Sequence, residues 1–437
     1  MKINTAAQST SERTHEGAPA KSITPIQQLR RSVMSCLLWE NEFYEDGKSV
    51  SERISKLVHE ITDTFAVSFL ANQARTVMHL RHVPLLIARE MARDEKHKHL
   101  VAKTLESVIQ RPDELTEFLA IYWKEGKQKL SAQVKKGLAL AFQKFSAYQL
   151  AKYNRDSPVK LRDVLFLCHA KPKNKEQEKI WKQLVDKTLA SPDTWEVALS
   201  AGKDKKATWE RLIKEEGLGA LALLRNLRNM QAVGVSKSVI REALAKADVS
   251  KVLPFRFIAA ARYAPDLEPE LEQAMFKSIG ETAKIPGETI ILVDVSGSMD
   301  AALSEKSDMQ RIDAACGVAM VARELCEHCS ILSFSSALVQ IPNRRGFALR
   351  DAVVNSQPHS STELGAAIST INSKFKYDRI IVITDEQSAS PVGGPNGKGY
   401  MINVASAKNG VGYGPWMHID GFSEGVLRFI AEHESEK

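Results

Sequence analysis

The stretch Thr289-Ile290-Ile291-Leu292-Val293-Asp294-Val295-Ser296-Gly297-Ser298 decides how the last third of the chain is read. Its apolar run has the length of a strand. Because the run is continuous rather than alternating, it predicts a strand covered on both faces, as in a parallel sheet. Similar runs follow at residues 330–334, at Arg379-Ile380-Ile381-Val382-Ile383-Thr384-Asp385 and at residues 401–405. Helix-period stretches fall between and after them, at 312–327, 362–375 and 423–433. Strands alternating with helices predict right-handed crossovers and a doubly wound, Rossmann-like α/β domain. Ligands of such a domain bind beyond the C-terminal ends of the strands.

Oxygen-bearing side chains collect at that edge. Asp294 closes the first strand, with Ser296 and Ser298 at the next alternate positions. Asp385 closes another strand, and Thr362 opens a helix between them. These side chains offer oxygen only, which suits a hard divalent cation such as Mg²⁺. The competing explanation is a set of helix N-caps. It accounts for Thr362 taken alone, but not for convergence of the whole set on one edge. An aspartyl phosphohydrolase would want a second Asp where Ser296 stands, and no Gly-x-Ser-x-Gly elbow surrounds either serine. The glycine-rich stretch 393–399 lacks the Gly-Lys-Ser/Thr ending of a phosphate loop and reads as a flexible turn. Cys326 and Cys329 form a single Cys-x-x-Cys at a helix end, with no second pair to complete a zinc site.

Upstream of Ile285-Pro286-Gly287 the period changes. Leu80, Val83, Leu86, Ile87 and Met91 recur at helical spacing, as do Leu218, Leu221, Leu224, Leu227 and Met230. Pro112, Pro158, Pro192 and Pro265 mark boundaries, because proline lacks the N–H that an interior helical turn needs. The spacing predicts stacked helix pairs, an α-solenoid, over residues 25–285, with an α/β domain over 286–437. The polar residues 1–24 read as a mobile arm. Five scattered cysteines argue against a disulfide framework and for a reducing, cytoplasmic setting. No apolar run approaches the roughly 20 residues of a membrane helix, so no membrane partner is expected.

Charge separates the two parts. Residues 286–437 carry 13 Lys+Arg against 18 Asp+Glu, which leaves 47 against 35 for residues 1–285. A basic helical part attracts polyanions through long-range fields and counterion release. The densest cations are Lys127, Lys129, Lys135, Lys136, Lys152, Arg155, His169, Lys171 and Lys173, interleaved with Trp123, Tyr148 and Tyr153. Isolated lysines are usually solvated, and aromatics at helical spacing are usually core. His169 stands out because it sits in a proline-ended loop among cations.

Three segments of the basic part resemble the TROVE module of Ro autoantigen-type proteins. They are Leu161-Arg162-Asp163-Val164-Leu165 with His169-Ala170-Lys171-Pro172, Ala222-Leu223-Leu224-Arg225-Asn226-Leu227-Arg228-Asn229-Met230, and Leu253-Pro254-Phe255-Arg256-Phe257. The set Asp294, Ser296, Ser298, Thr362 and Asp385 resembles the metal-ion-dependent adhesion site of von Willebrand A domains. The order of the two modules matches as well.

The resemblance implies a monomeric ring of HEAT-like helical repeats closed by the A-type domain. It implies non-catalytic binding of small structured noncoding (Y-like) RNAs on the outer basic surface and of single-stranded 3′ ends of misfolded RNAs in the ring. It implies work in RNA quality control with a 3′-to-5′ exoribonuclease such as polynucleotide phosphorylase. By the same resemblance, Ser296, Ser298 and Thr362 touch the metal, while Asp294 and Asp385 act largely through water. Lys152, His169 and Lys171 align with positions near the RNA-binding face; Arg155 is added from local charge alone. Asp156 stands where the family can carry Arg, and Ser360-Ser361-Thr362-Glu363 replaces the more usual Gly-Gly-Thr-Asp. The alternative function is a metal-dependent protein-interaction scaffold built on the A-type site; a metal-dependent phosphohydrolase is a third.

Overall fold

The computed structural model describes residues 24–34, 47–76, 80–154, 157–190, 204–215, 217–250, 252, 254–279, 284–303, 309–405, 410–411, 414–420, 427, 430 and 434. The expected arm lies outside these residues but for Thr24, and the closing helix expected at 423–433 lies outside them but for Leu427 and Ile430, both buried.

In the N-terminal part each helix packs on the next but one. One layer runs through Thr64–Thr76, Val101–Val108, Ala132–Phe142 and Leu161–Cys168; the other runs through Gly47–Glu60, His82–Arg93, Pro112–Tyr122 and Ala147–Tyr153. This is a two-layer solenoid, with the apolar stripe of each helix turned inward. Val83, Leu86, Ile87 and Met91 are buried, as their spacing predicts, and Leu80 is partly so; of the second stripe, Leu224, Leu227 and Met230 are buried but Leu221 is exposed. Gly137 lets two neighbouring helices approach closely: a Cβ there would lie 2.8 Å from Cβ of Leu105. Pro112 occupies the first turn of its helix, where the missing N–H costs nothing. Glu114 in the same turn accepts from the backbone N–H groups of Gln110 and Arg111 and from Arg75 at 2.7 Å, joining the two layers.

The hydrophobic core of this part runs from Leu29 to Leu184. A second core begins at Trp209, passes through helices Lys205–Lys214, Ala220–Ala232, Lys237–Lys246, Pro254–Tyr263 and Glu268–Ile279, and continues into the α/β domain. Helix Pro254–Tyr263 packs on Arg311–Leu325 of that domain. At the far end, Pro25–Met34 packs beside Met417–Asp420, so the first described helix meets the last described strand.

The sheet contains β1 (Ile285–Asp294), β2 (Cys326–Phe334), β3 (Leu338–Gln340), β4 (Arg379–Thr384), β5 (Lys398–Asn403) and β6 (Met417–Asp420). Their order is β3-β2-β1-β4-β5-β6, with β3 antiparallel and the other pairings parallel. Successive side chains alternate between faces. Ile291, Val293, Ile381 and Ile383 face the core shared with Arg311–Leu325, while Ile290, Leu292, Ile380 and Val382 face helix Leu364–Lys374. The chain order reverses between β1 and β4, which opens a crevice at their C-terminal ends.

Several elements differ from the sequence expectation. β2 starts at Cys326 instead of 330, because Ile285 pairs with Cys326 across a register shift. The Cys-x-x-Cys pair therefore lies within a strand, with Cys326 buried and Cys329 partly so. The helix expected from Thr362 starts at Leu364, leaving Thr362 in the preceding loop. The short elements β3, β6 and helix Gly346–Val354 were not anticipated. The 393–399 stretch is tied down rather than free: Trp416 Nε1 donates to the Gly393 carbonyl, Asn396 N–H donates to the Tyr377 hydroxyl, and Gly399 belongs to β5.

Candidate functional site

The crevice between β1 and β4 is built by loops that bind one another. Asp294, the last residue of β1, is fully buried; its Oδ1 accepts the Ser296 N–H at 2.9 Å and its Oδ2 accepts the Thr384 hydroxyl at 2.6 Å. A short 3₁₀ turn, Gly297–Asp300, follows, and the Ser296 and Ser298 Oγ atoms stand 3.3 Å apart. Gly297 N–H donates to the Ser360 carbonyl, which ties this turn to the loop carrying Thr362. The Ser335 hydroxyl, just past β2, accepts the Ser360 N–H and donates to the Ser361 carbonyl. The Thr362 carbonyl in turn accepts from Ala389 N–H, in the loop that follows β4. Asp385 is fully buried at the start of that loop and accepts from Gln387 N–H and from the Arg311 guanidinium at 3.4 Å.

Burial, joined by the negative charge of Asp385, pushes the Asp294 carboxyl well above the usual carboxylate range. Such a site favours a positive charge. The donors are hydroxyls and carboxylates, with no group of three His, Cys, Asp or Glu side chains gathered among the described residues. Neighbouring ligands of an octahedral Mg²⁺ stand about 3 Å apart, close to the Ser296–Ser298 spacing. The residues therefore fit a hard divalent cation that keeps water in its shell. Sequence reasoning missed Arg311, which is 1% exposed, and Thr384, the donor to Asp294. Arg311 carried a weak signal, a cation at the start of a predicted helix following the serine loop.

The basic residues separate into groups. Lys127, Lys129, Lys135 and His169 line one cavity of about 590 Å³ together with Trp123 and Phe166. The cavity sits where the loop after Pro112–Tyr122 meets the end of Leu161–Cys168. Trp123 Nε1 donates to the Gln128 carbonyl and so shapes the loop, while Lys127 Nζ lies 5.4 Å from the Trp123 ring centre. Phe166 is 59% exposed and so presents an aromatic face at the cavity. His169 ends its helix in a left-handed conformation, φ 53°, which turns the chain into the Lys171–Lys173 loop. Lys171 and Lys173 are exposed on that loop. Lys136 is exposed but outside the cavity, and Lys152 lies apart beside the Tyr153 ring, which Arg111 also covers. Arg155 lies outside the described residues.

A second cationic cleft, of about 410 Å³, was not assigned from sequence. Arg225 and Arg228 from helix Ala220–Ala232 face Arg256 and Arg262 from helix Pro254–Tyr263, with the exposed Tyr263 among them. The Arg228 guanidinium lies 5.5 Å from the Tyr263 ring centre. Met309 of the α/β domain completes the lining, so the cleft sits on the seam between the two parts. The signal available was the three-residue spacing of Arg225 and Arg228, which places both on one helical face.

Residues 187–313 match the TROVE domain family, and residues 288–393 match the Ro60 vWA domain family. An 89-residue stretch is 36% identical to telomerase protein component 1 of Mus musculus and 35% identical to that of Rattus norvegicus. That stretch is 19% of this chain and only 3% of the length of those relatives. The crystal structure of the Deinococcus radiodurans RO (RSR) protein superposes with a TM-score of 0.61 at 18% identity, covering 93% of this chain and 100% of that one. At such identity the likeness is one of fold: a helical ring joined to a von Willebrand A domain. The two domain matches, in this order, give the chain the domain arrangement of Ro60-type proteins: a TROVE domain joined to a Ro60-type von Willebrand A domain.

Proposed function

We propose that this chain is a non-catalytic RNA-binding component of ribonucleoproteins. Its ligands on this reading are small structured (Y-like) noncoding RNAs and single-stranded 3′ ends of misfolded RNAs. It acts in the cytoplasm, in RNA quality control or processing beside a 3′-to-5′ exoribonuclease such as polynucleotide phosphorylase. Among the described residues, no helix is long and apolar enough to cross a membrane.

The observation that carries this reading is the cavity where Lys127, Lys129, Lys135 and His169 surround exposed aromatic surface. Cations neutralise phosphates and release counterions, while an exposed ring offers a surface on which an unpaired base stacks. The arginine cleft with Tyr263 has the same chemistry and suits a single strand, whose bases are free to stack. On this reading the A-type site holds a divalent cation, probed most simply with Mg²⁺ or Mn²⁺, and Ser296, Ser298, Thr362, Asp294 and Asp385 hold it directly or through water. The test is to isolate the protein from its native cells, crosslink bound RNA and sequence it, beside a Lys127→Glu/Lys129→Glu/Lys135→Glu variant. A small structured RNA enriched with the native protein and reduced with the variant supports the proposal; no enriched RNA with either contradicts it.

A second reading, a metal-dependent protein scaffold, draws on the buried Asp294–Asp385 pair at the sheet edge. On that reading, charge reversal at Lys127, Lys129 and Lys135 leaves partner capture intact, while Asp294→Ala abolishes it.

A further inference from the structure

The metal-site crevice already contains a cation of the protein's own. Arg311 is the first residue of helix Arg311–Leu325 and is buried to 1% exposure, with Nη1 3.4 Å from Oδ2 of Asp385. Asp385 and Asp294 are both fully buried. Paired buried carboxylates repel each other and demand a nearby positive charge. A guanidinium cannot give up its proton at any ordinary pH, so this positive charge is permanent.

We infer that Arg311 is an internal counter-cation that keeps the A-type site's affinity for free divalent metal low. This rests on the reading that the site binds such a metal. Arg311 neutralises part of the charge that would attract the ion, and it occupies a carboxylate oxygen that would otherwise receive the ion's water. Metal then enters well only when something else offsets the guanidinium, such as an added carboxylate from a partner. The opposite role is also concrete: Arg311 could hold Asp385 in the orientation that metal binding needs, in which case its loss would weaken binding.

The test is Mn²⁺ binding followed by electron paramagnetic resonance, with thermal melting as a second readout, in the full-length protein and in Arg311→Gln and Arg311→Lys. The inference expects Arg311→Gln to bind Mn²⁺ on the order of tenfold more tightly, and Arg311→Lys, which keeps the charge, to stay near the native value. It also expects Mn²⁺ to raise the melting temperature of Arg311→Gln more than that of the native protein. Equal or weaker binding by Arg311→Gln overturns the inference and leaves the metal reading standing. No Mn²⁺ bound by either protein overturns both. If Arg311→Gln fails to fold without metal, recovery of the native circular dichroism in Mn²⁺ supports the inference, and failure to recover overturns it.

Discussion

Nη2 of Arg262 lies 2.7 Å from each carboxylate oxygen of Asp313, joining helix Pro254–Tyr263 of the helical part to helix Arg311–Leu325 of the α/β domain. Asp313 also accepts the N–H of Gln310 and so caps its own helix. The pair therefore couples the seam between domains to the start of the helix that carries Arg311.

This coupling is measurable. In a double-mutant cycle of Arg262→Ala and Asp313→Asn, we expect an interaction energy of about 1–3 kcal/mol from denaturant unfolding. Additive single effects would show that the ion pair contributes nothing across the seam.

Acid stability should report on Glu434. Burial raises its pKa, but hydrogen bonds from Arg379, Lys398 and Tyr400 outweigh burial and hold the carboxyl at about 2. The folded-state pKa lies below the ordinary glutamate value of 4.5, so the unfolded chain takes up the proton first as pH falls. The stabilisation is complete above about pH 4.5 and disappears as pH falls toward 2. Glu434→Gln should melt several degrees lower than the native protein at pH 7, with the difference shrinking across that window. A difference that is constant from pH 7 to pH 3 would contradict this.

The arginine cleft gives a prediction separable from the lysine cavity. Arg225→Glu/Arg228→Glu should weaken binding of a single-stranded oligouridylate about tenfold or more, and should change stem-loop binding far less. Fluorescence anisotropy with both probes checks it; equal losses on both would assign the two sites to one footprint.

Metal binding predicts linked stability. A divalent ion at 100 times its dissociation constant adds about 2.7 kcal/mol to unfolding free energy. Mn²⁺ should therefore raise the melting temperature of the native protein at high concentration, and Asp294→Ala should lose that rise. A rise of the same size in Asp294→Ala would place the ion elsewhere.

Much of the α/β domain was legible because buried parallel strands carry continuous apolar runs, as in Ile290–Val293 and Ile380–Ile383, and because strand ends fix Asp294 and Asp385 at one edge. The helical half was legible in its periodicity and its prolines. What sequence could not show was short or non-local. β3 spans only Leu338–Gln340 and leans on β2 for its identity, and β6 depends on pairing with β5. Arg311 lies 74 residues from Asp385, and only the fold brings the two together. The lysines looked like one band, yet Lys127, Lys129 and Lys135 share a cavity with His169 while Lys152 does not, because Lys152 sits on helix Ala147–Tyr153 beside the Tyr153 ring.

On the proposed reading, the basic helical part binds structured RNA through the lysine cavity. The most direct measurement is fluorescence anisotropy of a labelled stem-loop RNA against salt, for the native protein and for Lys127→Glu/Lys129→Glu/Lys135→Glu. The proposal expects the variant to bind at least about tenfold more weakly, with a log–log salt slope shallower by about 2–3. Unchanged affinity and slope in a folded variant, or native binding no stronger than to a neutral control polymer, would contradict it.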